Sequence, residues 1–465
     1  MIGSGIFKVP RDVAASLPSP GWILVAWVAA GLLALVGSLA FAEMSTLYPE
    51  AGGQYVFVRE AFGRLTAFLY GWTNIVVINS ASVAAIAFVS AEYLLCSFGL
   101  VTGCALPAEG TTAYLLLYKS VTVFLIAALT ATNAVGVLWG ARLQNVLTAA
   151  KLLVLGALIA GALLPGRAHL ENLTPFWTLQ GSMDGGLVRA FQVAFLSIFW
   201  AYDGWYLLGF SCAEIREPRR NIPIGFALGV LVVVAVYALV NLSYFAAIPL
   251  GEMARVVGPG GVGAEAARRF FGEIGLLFIA LGVFGSALGA ANGQILTGPR
   301  LCFAMARDGL FFRPLADVHP RFLTPLRAIV VQGGLSALCV FAGNFDDLIN
   351  SVVFAAWIFY GLTVVGLFIL RRRGVAGGAG TFRMPGYPIL PFLFALFAFG
   401  FVIYSARESV LQVQGSLKII LEGGSLAEAM KGLYPLLVTG IILLGVPFYL
   451  AFRRAGAAGI MHRAR

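Results

Sequence analysis

The chain has 465 residues, of which 60% are hydrophobic and only 11% charged, with a net charge of +10. A soluble domain carries about 25% charged residues, so this shortfall and a mean hydropathy of +0.91 exclude a soluble enzyme of this length and indicate a polytopic helical membrane protein. The positive charge lies in short loops, many of them alternate ones, as the positive-inside rule expects, which speaks against a nucleic-acid-binding surface.

The opening stretch, Met1 to Phe7 (MIGSGIF), sets two glycines around one serine in an apolar neighbourhood. Glycine weakens a helix through backbone entropy. Non-helical backbone at membrane depth is tolerated only where it lines a cavity or packs in protein, so Gly3, Ser4 and Gly5 are expected to form an unwound part of a binding site. Lys8 to about Ser16 reads as a short helical piece, too short to span, ended by Pro18-Ser19-Pro20-Gly21. Apolar segments follow at about 22–47, 65–95, 114–136, 143–165, 187–211, 223–249, 274–299, 327–343, 348–370, 387–406 and 433–452. That makes eleven spans after the opening fragment. No connection is long or polar enough for a soluble domain, so residues 1–465 are expected to form one transmembrane unit.

Arginine and lysine crowd alternate connections: Arg59 and Arg64; Arg142; Arg216, Arg219 and Arg220; Arg300, Arg307, Arg313, Arg321 and Arg327; Arg371, Arg372, Arg373 and Arg383; and Arg453, Arg454, Arg463 and Arg465. The connections around 97–113 and 343–347 contain neither residue. The richer set belongs in the cytoplasm, together with the C-terminus.

A second helix break is expected at Trp200-Ala201-Tyr202-Asp203-Gly204-Trp205, where an acidic residue followed by glycine falls in mid-span. Such a residue is costly unless it faces water or a partner. With the opening fragment counted as span one, the breaks fall at spans one and six. This is the spacing of a five-plus-five inverted repeat, which places its site at discontinuous helices in corresponding positions. Residues 1–165 would form the first repeat, 187–370 the second, and 387–452 two additional helices. The argument is positional, since the two halves show no convincing internal similarity.

At the first break, unpaired N–H groups and the Ser4 hydroxyl suit an anionic group such as a carboxylate; close helix packing through small residues is the alternative. Trp200, Tyr202 and Trp205 could cap a substrate or pack as core aromatics. Asp203 could recognise a cationic group or relay a proton, or form an ion pair within the bundle. Lys151, well inside a span, must meet carbonyl oxygens or a carboxylate. Asn292, among small residues on span eight, could bond between helices or serve the site; Asn74, Asn79 and Ser80 are weaker candidates. Glu43 reads as a structural partner of loop arginines, and the Arg216–Pro223 turn as a topological marker.

The five cysteines, Cys96, Cys104, Cys212, Cys302 and Cys339, show no metal or disulfide spacing, so neither a metal site nor a cofactor is expected. His169, His319 and His462 lie in loops. No GxSxG, HExxH or P-loop occurs in a plausible context, and no enzyme is expected.

The chain resembles the L-type amino-acid transporters of the amino acid–polyamine–organocation superfamily. The resemblance rests on Ile2 to Phe7 (IGSGIF), Ser19-Pro20-Gly21, Ala42-Glu43, Pro49 to Tyr55 (PEAGGQY), Ala149-Ala150-Lys151-Leu152-Leu153, Trp200 to Trp205 (WAYDGW), the Glu214 to Pro223 turn, Asn292-Gly293, Arg300-Leu301 and Thr324-Pro325. It covers nearly the whole chain in order. It implies an all-α, twelve-helix, five-plus-five inverted-repeat fold and sodium-independent exchange of amino acids by alternating access. Ile2, Gly3, Ser4 and Gly5 would bind the substrate α-carboxylate, and carbonyls around Trp200, Ala201 and Asp203 the α-ammonium. Trp200 matches the family's gating aromatic, and Lys151 a lysine that resembles a substitute for a sodium ion. Tyr202 joins the expected substrate-binding set, and Asn292 the gating and coupling set.

Asp203 widens the expected substrates from neutral towards dibasic L-amino acids. Proton-coupled uptake, with Asp203 as carrier, is the alternative; a non-transporting receptor or assembly subunit is a more remote one. Cys104 falls where animal light subunits carry the cysteine that bonds a heavy chain, but one loop cysteine is weak support and bacterial relatives work alone. No heavy-chain partner is expected, and a bacterial plasma membrane is. Family members also carry a half-helix ahead of IGSGIF, about 10–15 residues at 1.5 Å rise. Its absence here suggests a start codon assigned too far downstream, and a chain truly starting at Met1 would lack the inner lid.

Overall fold

In the computed structural model the chain is described over residues 1–103, 107, 110–179, 186–256, 261–375, 381–422 and 433–461. All the regular structure among them is helical. Among the described residues ten helices are long and apolar enough to cross a membrane, and an eleventh apolar helix, Leu326–Ala342, has 17 residues. These are the expected eleven segments.

The chain opens without helix up to Ser4, then forms α1 (Gly5–Lys8) and α2 (Pro10–Ser16), which meet at Val9. Pro10 enters at a helix start, where its missing N–H costs nothing. After extended Ser19, Pro20 starts α3 (Pro20–Leu47) in the same way. Helices α4 (Gln54–Phe62) and α5 (Arg64–Thr73) lead through a π-helical turn at Asn74–Ile78 into α6 (Asn79–Thr102). The polar residues singled out on this span thus flank its one departure from α-geometry: Asn74 bonds Tyr70, and Ser80 bonds the Ile75 carbonyl and Gln332. Helices α7 (Thr112–Val135) and α8 (Val137–Gly161) complete the first half.

In the second half α9 (Gly186–Tyr202) stops at the expected break and continues as a 3₁₀ segment, Trp205–Glu214. Then come α10 (Pro218–Ala247), α11 (Leu250–Met253), α12 (Gly261–Phe271), α13 (Glu273–Thr297), α14 (Pro299–Arg307), α15 (Leu326–Ala342), α16 (Phe345–Arg372), α17 (Ile389–Leu421) and α18 (Tyr434–Met461). Helix α16 starts from a reciprocal capping box between Asn344 and Asp347. Several features go beyond the hydropathy pattern, among them α4, α14, α12 and the end of α17. Helix α12 was not expected, because its Glu265, Arg268 and Arg269 dilute the apolar signal. Helix α17 runs 15 residues past position 406, through a stretch containing Arg407, Glu408 and Lys418.

The core forms where α13 packs on α6 and α8, α10 on α3, and α16 on α3, α6 and α17. Glu43 finds the structural role expected of it. It is 4% exposed, takes two bonds from Arg371 at the end of α16, and accepts the Met384 amide at 2.7 Å. The turn before α4 fits the segment after the second break. At Gly53, φ is +48°, and a Cβ would lie 2.7 Å from the Gly209 carbonyl carbon, so only glycine meets both demands.

Candidate functional site

Helix α9 is interrupted at the second expected break, and at the first the chain is non-helical up to Ser4. At the first, the ladder begins with Phe7 and Lys8 donating to the Ser4 carbonyl at 3.1 and 3.3 Å, so the amides of Ser4, Gly5 and Ile6 precede it, as the first N–H groups of any helix do. At the second, the Asp203 amide closes a short turn onto the Trp200 carbonyl at 3.2 Å, and Gly204 takes φ +92°. That left-handed value is strained for a residue with a side chain.

The two breaks touch. A Cβ on Gly5 would lie 2.6 Å from Ala201 Cα, so the approach of α9 by itself already requires glycine here. Gly3 has more room, with Ala290 Cβ at 3.4 Å. Tyrosines on α10 hold the two breaks from one side. The Tyr237 hydroxyl donates to the Ala201 carbonyl at 2.9 Å and lies 3.5 Å from the Met1 carbonyl, and Tyr244 donates to the Ile6 carbonyl at 3.2 Å.

Lys151, 4% exposed on α8, holds them from the other side. Its ammonium donates to the Ile2 carbonyl at 2.7 Å and to Ser286 of α13 at 3.4 Å, while the Ser286 hydroxyl donates to the Gly3 carbonyl at 3.3 Å. The lysine therefore meets carbonyl oxygens, one of the two expectations for it.

Between these elements lies a cavity of about 470 Å³. Ile2, Gly3, Ser4, Gly5, Lys151, Trp200, Ala201 and Asp203 all line it. Tyr202 does not: the helical rotation from Trp200 turns it towards α3, where its ring lies 5.9 Å from Trp27 and 5.1 Å from Tyr237. Trp205 likewise packs in the core, 4.8 Å from Phe41 and 4.9 Å from Tyr360. Asn292 is not among the lining residues. Its amide group bonds Gly140, Gln144 and Asn133, tying α13 to α8 and α7. Asp203 reaches the cavity and accepts a 2.8 Å bond from the Tyr360 hydroxyl of α16.

The model of the family described as "Amino acid permease" matches residues 1–421. The chain belongs to that family. Its similarity to individual members agrees with the L-type branch. The rat (Rattus norvegicus) b(0,+)-type amino acid transporter 1 is 34% identical over 382 residues, covering 80% of this chain and 73% of the relative. The human (Homo sapiens) cystine/glutamate transporter is 31% identical over 377 residues, 80% and 71% of the two chains. The serine/threonine exchanger SteT of Bacillus subtilis is 32% identical over 401 residues, 84% and 85%. The protein is an amino-acid transporter with the all-α polytopic fold of the amino acid–polyamine–organocation superfamily.

Sequence reasoning passed over the polar lining of this transporter's cavity: Gln144 and Thr148 on α8, Ser211 on the 3₁₀ segment, and Gln294 and Thr297 on α13. The signal for them was spacing. Gln144, Thr148 and Lys151 stand four and three residues apart, on one helix face, and Ala290, Gln294 and Thr297 repeat the pattern. Among the described residues, no group of His, Cys, Asp and Glu could hold a metal ion. Cys104, considered as a partner-binding cysteine, lies outside the described residues.

Proposed function

We propose that the transporter is a sodium-independent exchanger of neutral and cationic L-amino acids, and that the cavity between the two breaks is its substrate site. The observation that carries this reading is the convergence of Ile2–Gly5, Trp200–Ala201, Asp203 and Lys151 on one cavity of about 470 Å³, a volume that suits a small ligand. Amides at the start of α1 suit the α-carboxylate. The carbonyls at the end of α9 suit the α-ammonium, although Ala201 and Trp200 each already accept one bond and offer a second lone pair. Trp200, which lines the cavity and is 6% exposed, gates it. Lys151 supplies a fixed positive charge beside the first break.

The breaks lie in the opening segment and in α9, which supports residues 1–165 and 187–370 as the two inverted repeats, with 387–452 added. Alternating access then rocks one group of helices about the site. The arginine-bearing connections support a cytoplasmic C-terminus and residence in a bacterial plasma membrane. The reading needs no partner subunit.

Counterflow in proteoliposomes tests it. Uptake of a labelled neutral amino acid is expected only when unlabelled amino acid is inside, with no response to sodium. Replacing Asp203→Asn is expected to abolish uptake of labelled L-arginine and spare that of neutral substrates. The Asp203–Tyr360 contact supports one other reading, proton-coupled uptake, since it places a titratable group at the cavity wall. Uptake into empty vesicles driven by external acid would replace exchange with that reading.

A further inference from the structure

At the arginine-poor end, next to Trp200 of the cavity lining, stand side chains that the substrate reading does not use. Lys8 lies three residues beyond Gly5, at the end of α1. Its ammonium meets Glu92 Oε2 on α6 at 2.5 Å and stands 5.0 Å from the ring centroid of Phe345, the first residue of α16. The Phe345 ring in turn meets Trp200 edge-on, with centroids 6.3 Å apart, and Trp200 lines the cavity. One lysine therefore joins the helix that leaves the first break to two other helices, beside the contact of Phe345 with the cavity-lining Trp200.

The chemistry suits a contact that opens and closes. The ammonium and carboxylate are part-buried, so their attraction exceeds that of an exposed pair, and the phenyl face adds a cation–π term. Separation exchanges these contacts for water, leaving no buried charge stranded.

We propose that Lys8, Glu92 and Phe345 form the outer latch of the transport cavity, holding α1, α6 and α16 together while the outer path is shut. The inference rests on the cavity being the substrate site, and its test reads access to the cavity independently of flux. Thr148→Cys, placed on the cavity lining after replacement of the five native cysteines, is labelled in intact cells with a membrane-impermeant methanethiosulfonate reagent. Lys8→Met, Glu92→Gln and Phe345→Ala are each expected to raise the labelling rate several-fold at equal surface amounts. The double exchange Lys8→Glu with Glu92→Lys is expected to return the rate towards that of the parent. Unchanged labelling in the single variants, or a rise that the double exchange leaves in place, overturns the latch. Absence of amino-acid counterflow in the parent would instead overturn the substrate reading, so the two failures are distinct.

Discussion

Lys151 answers the problem posed by an ammonium in mid-membrane with main-chain carbonyls. Its bonds to Ile2 and Ser286 make it one of the side chains, with Tyr237, Tyr244 and Ser286, that hold the shape of the opening segment. Lys151→Met should leave the Ile2 carbonyl short of its partner, a penalty of about 1–3 kcal/mol. The exchange rate in proteoliposomes is expected to fall by roughly tenfold or more at near-normal insertion, in proportion to that energy; an unchanged rate would separate the lysine from transport. Gly5 carries a different constraint. Any larger residue there meets the Ala201 backbone, so Gly5→Val should force the two breaks apart. Overpacking of this kind costs about 1–3 kcal/mol or more. Substrate binding and the thermal unfolding midpoint in detergent are expected to fall together; loss of binding at an unchanged midpoint would return the glycine to a direct ligand role.

Among the elements, α3 and α16 are joined at one end by the buried Glu43–Arg371 pair and the Met384 amide. Removing one partner of a buried pair costs about 3–5 kcal/mol, because the other charge is left uncompensated. Arg371→Met should therefore lower the unfolding midpoint clearly more than Glu43→Gln, which keeps acceptor capacity for Met384; equal effects would deny the pair its structural part. The same scale shows why some elements escaped the hydropathy pattern. Helix α12 is half polar because one face packs on α1 and α13 while Glu265, Arg268 and Arg269 pair with one another. Helix α17 outruns the expected segment because apolar residues resume after Arg407 and Glu408, from Val410 and Leu411 to Ile419 and Leu421.

Across the whole molecule the arginine-bearing connections meet at one end. Arg59 pairs with Asp308, Arg64 bonds the Asp308 carbonyl, Arg300 pairs with Glu214 and Arg373 bonds the Glu60 carbonyl. Connections after α3, α9, α13 and α16 are thus bound into one charged layer. A fluorescent protein fused to the C-terminus is expected to fluoresce, and alkaline phosphatase fused at the same point to stay inactive; the reverse pattern would invert the topology.

Sequence alone determined the polytopic helical class, the eleven apolar helices, the break in α9 and the need of Lys151 for oxygen partners. These follow from local facts: run length, glycine entropy and the cost of burying polar groups. Family membership, too, was carried by motifs in order. Only the tertiary structure decided which faces meet. It turned Trp200 to the cavity and Tyr202 away, placed Asn292 between helices, and gave Gly5 to helix packing. It also gathered Gln144, Thr148 and Gln294 beside the breaks and set Lys8 against Glu92 and Phe345. A side chain's neighbours depend on helix rotation and on contacts distant in sequence, and a local pattern of residues contains neither.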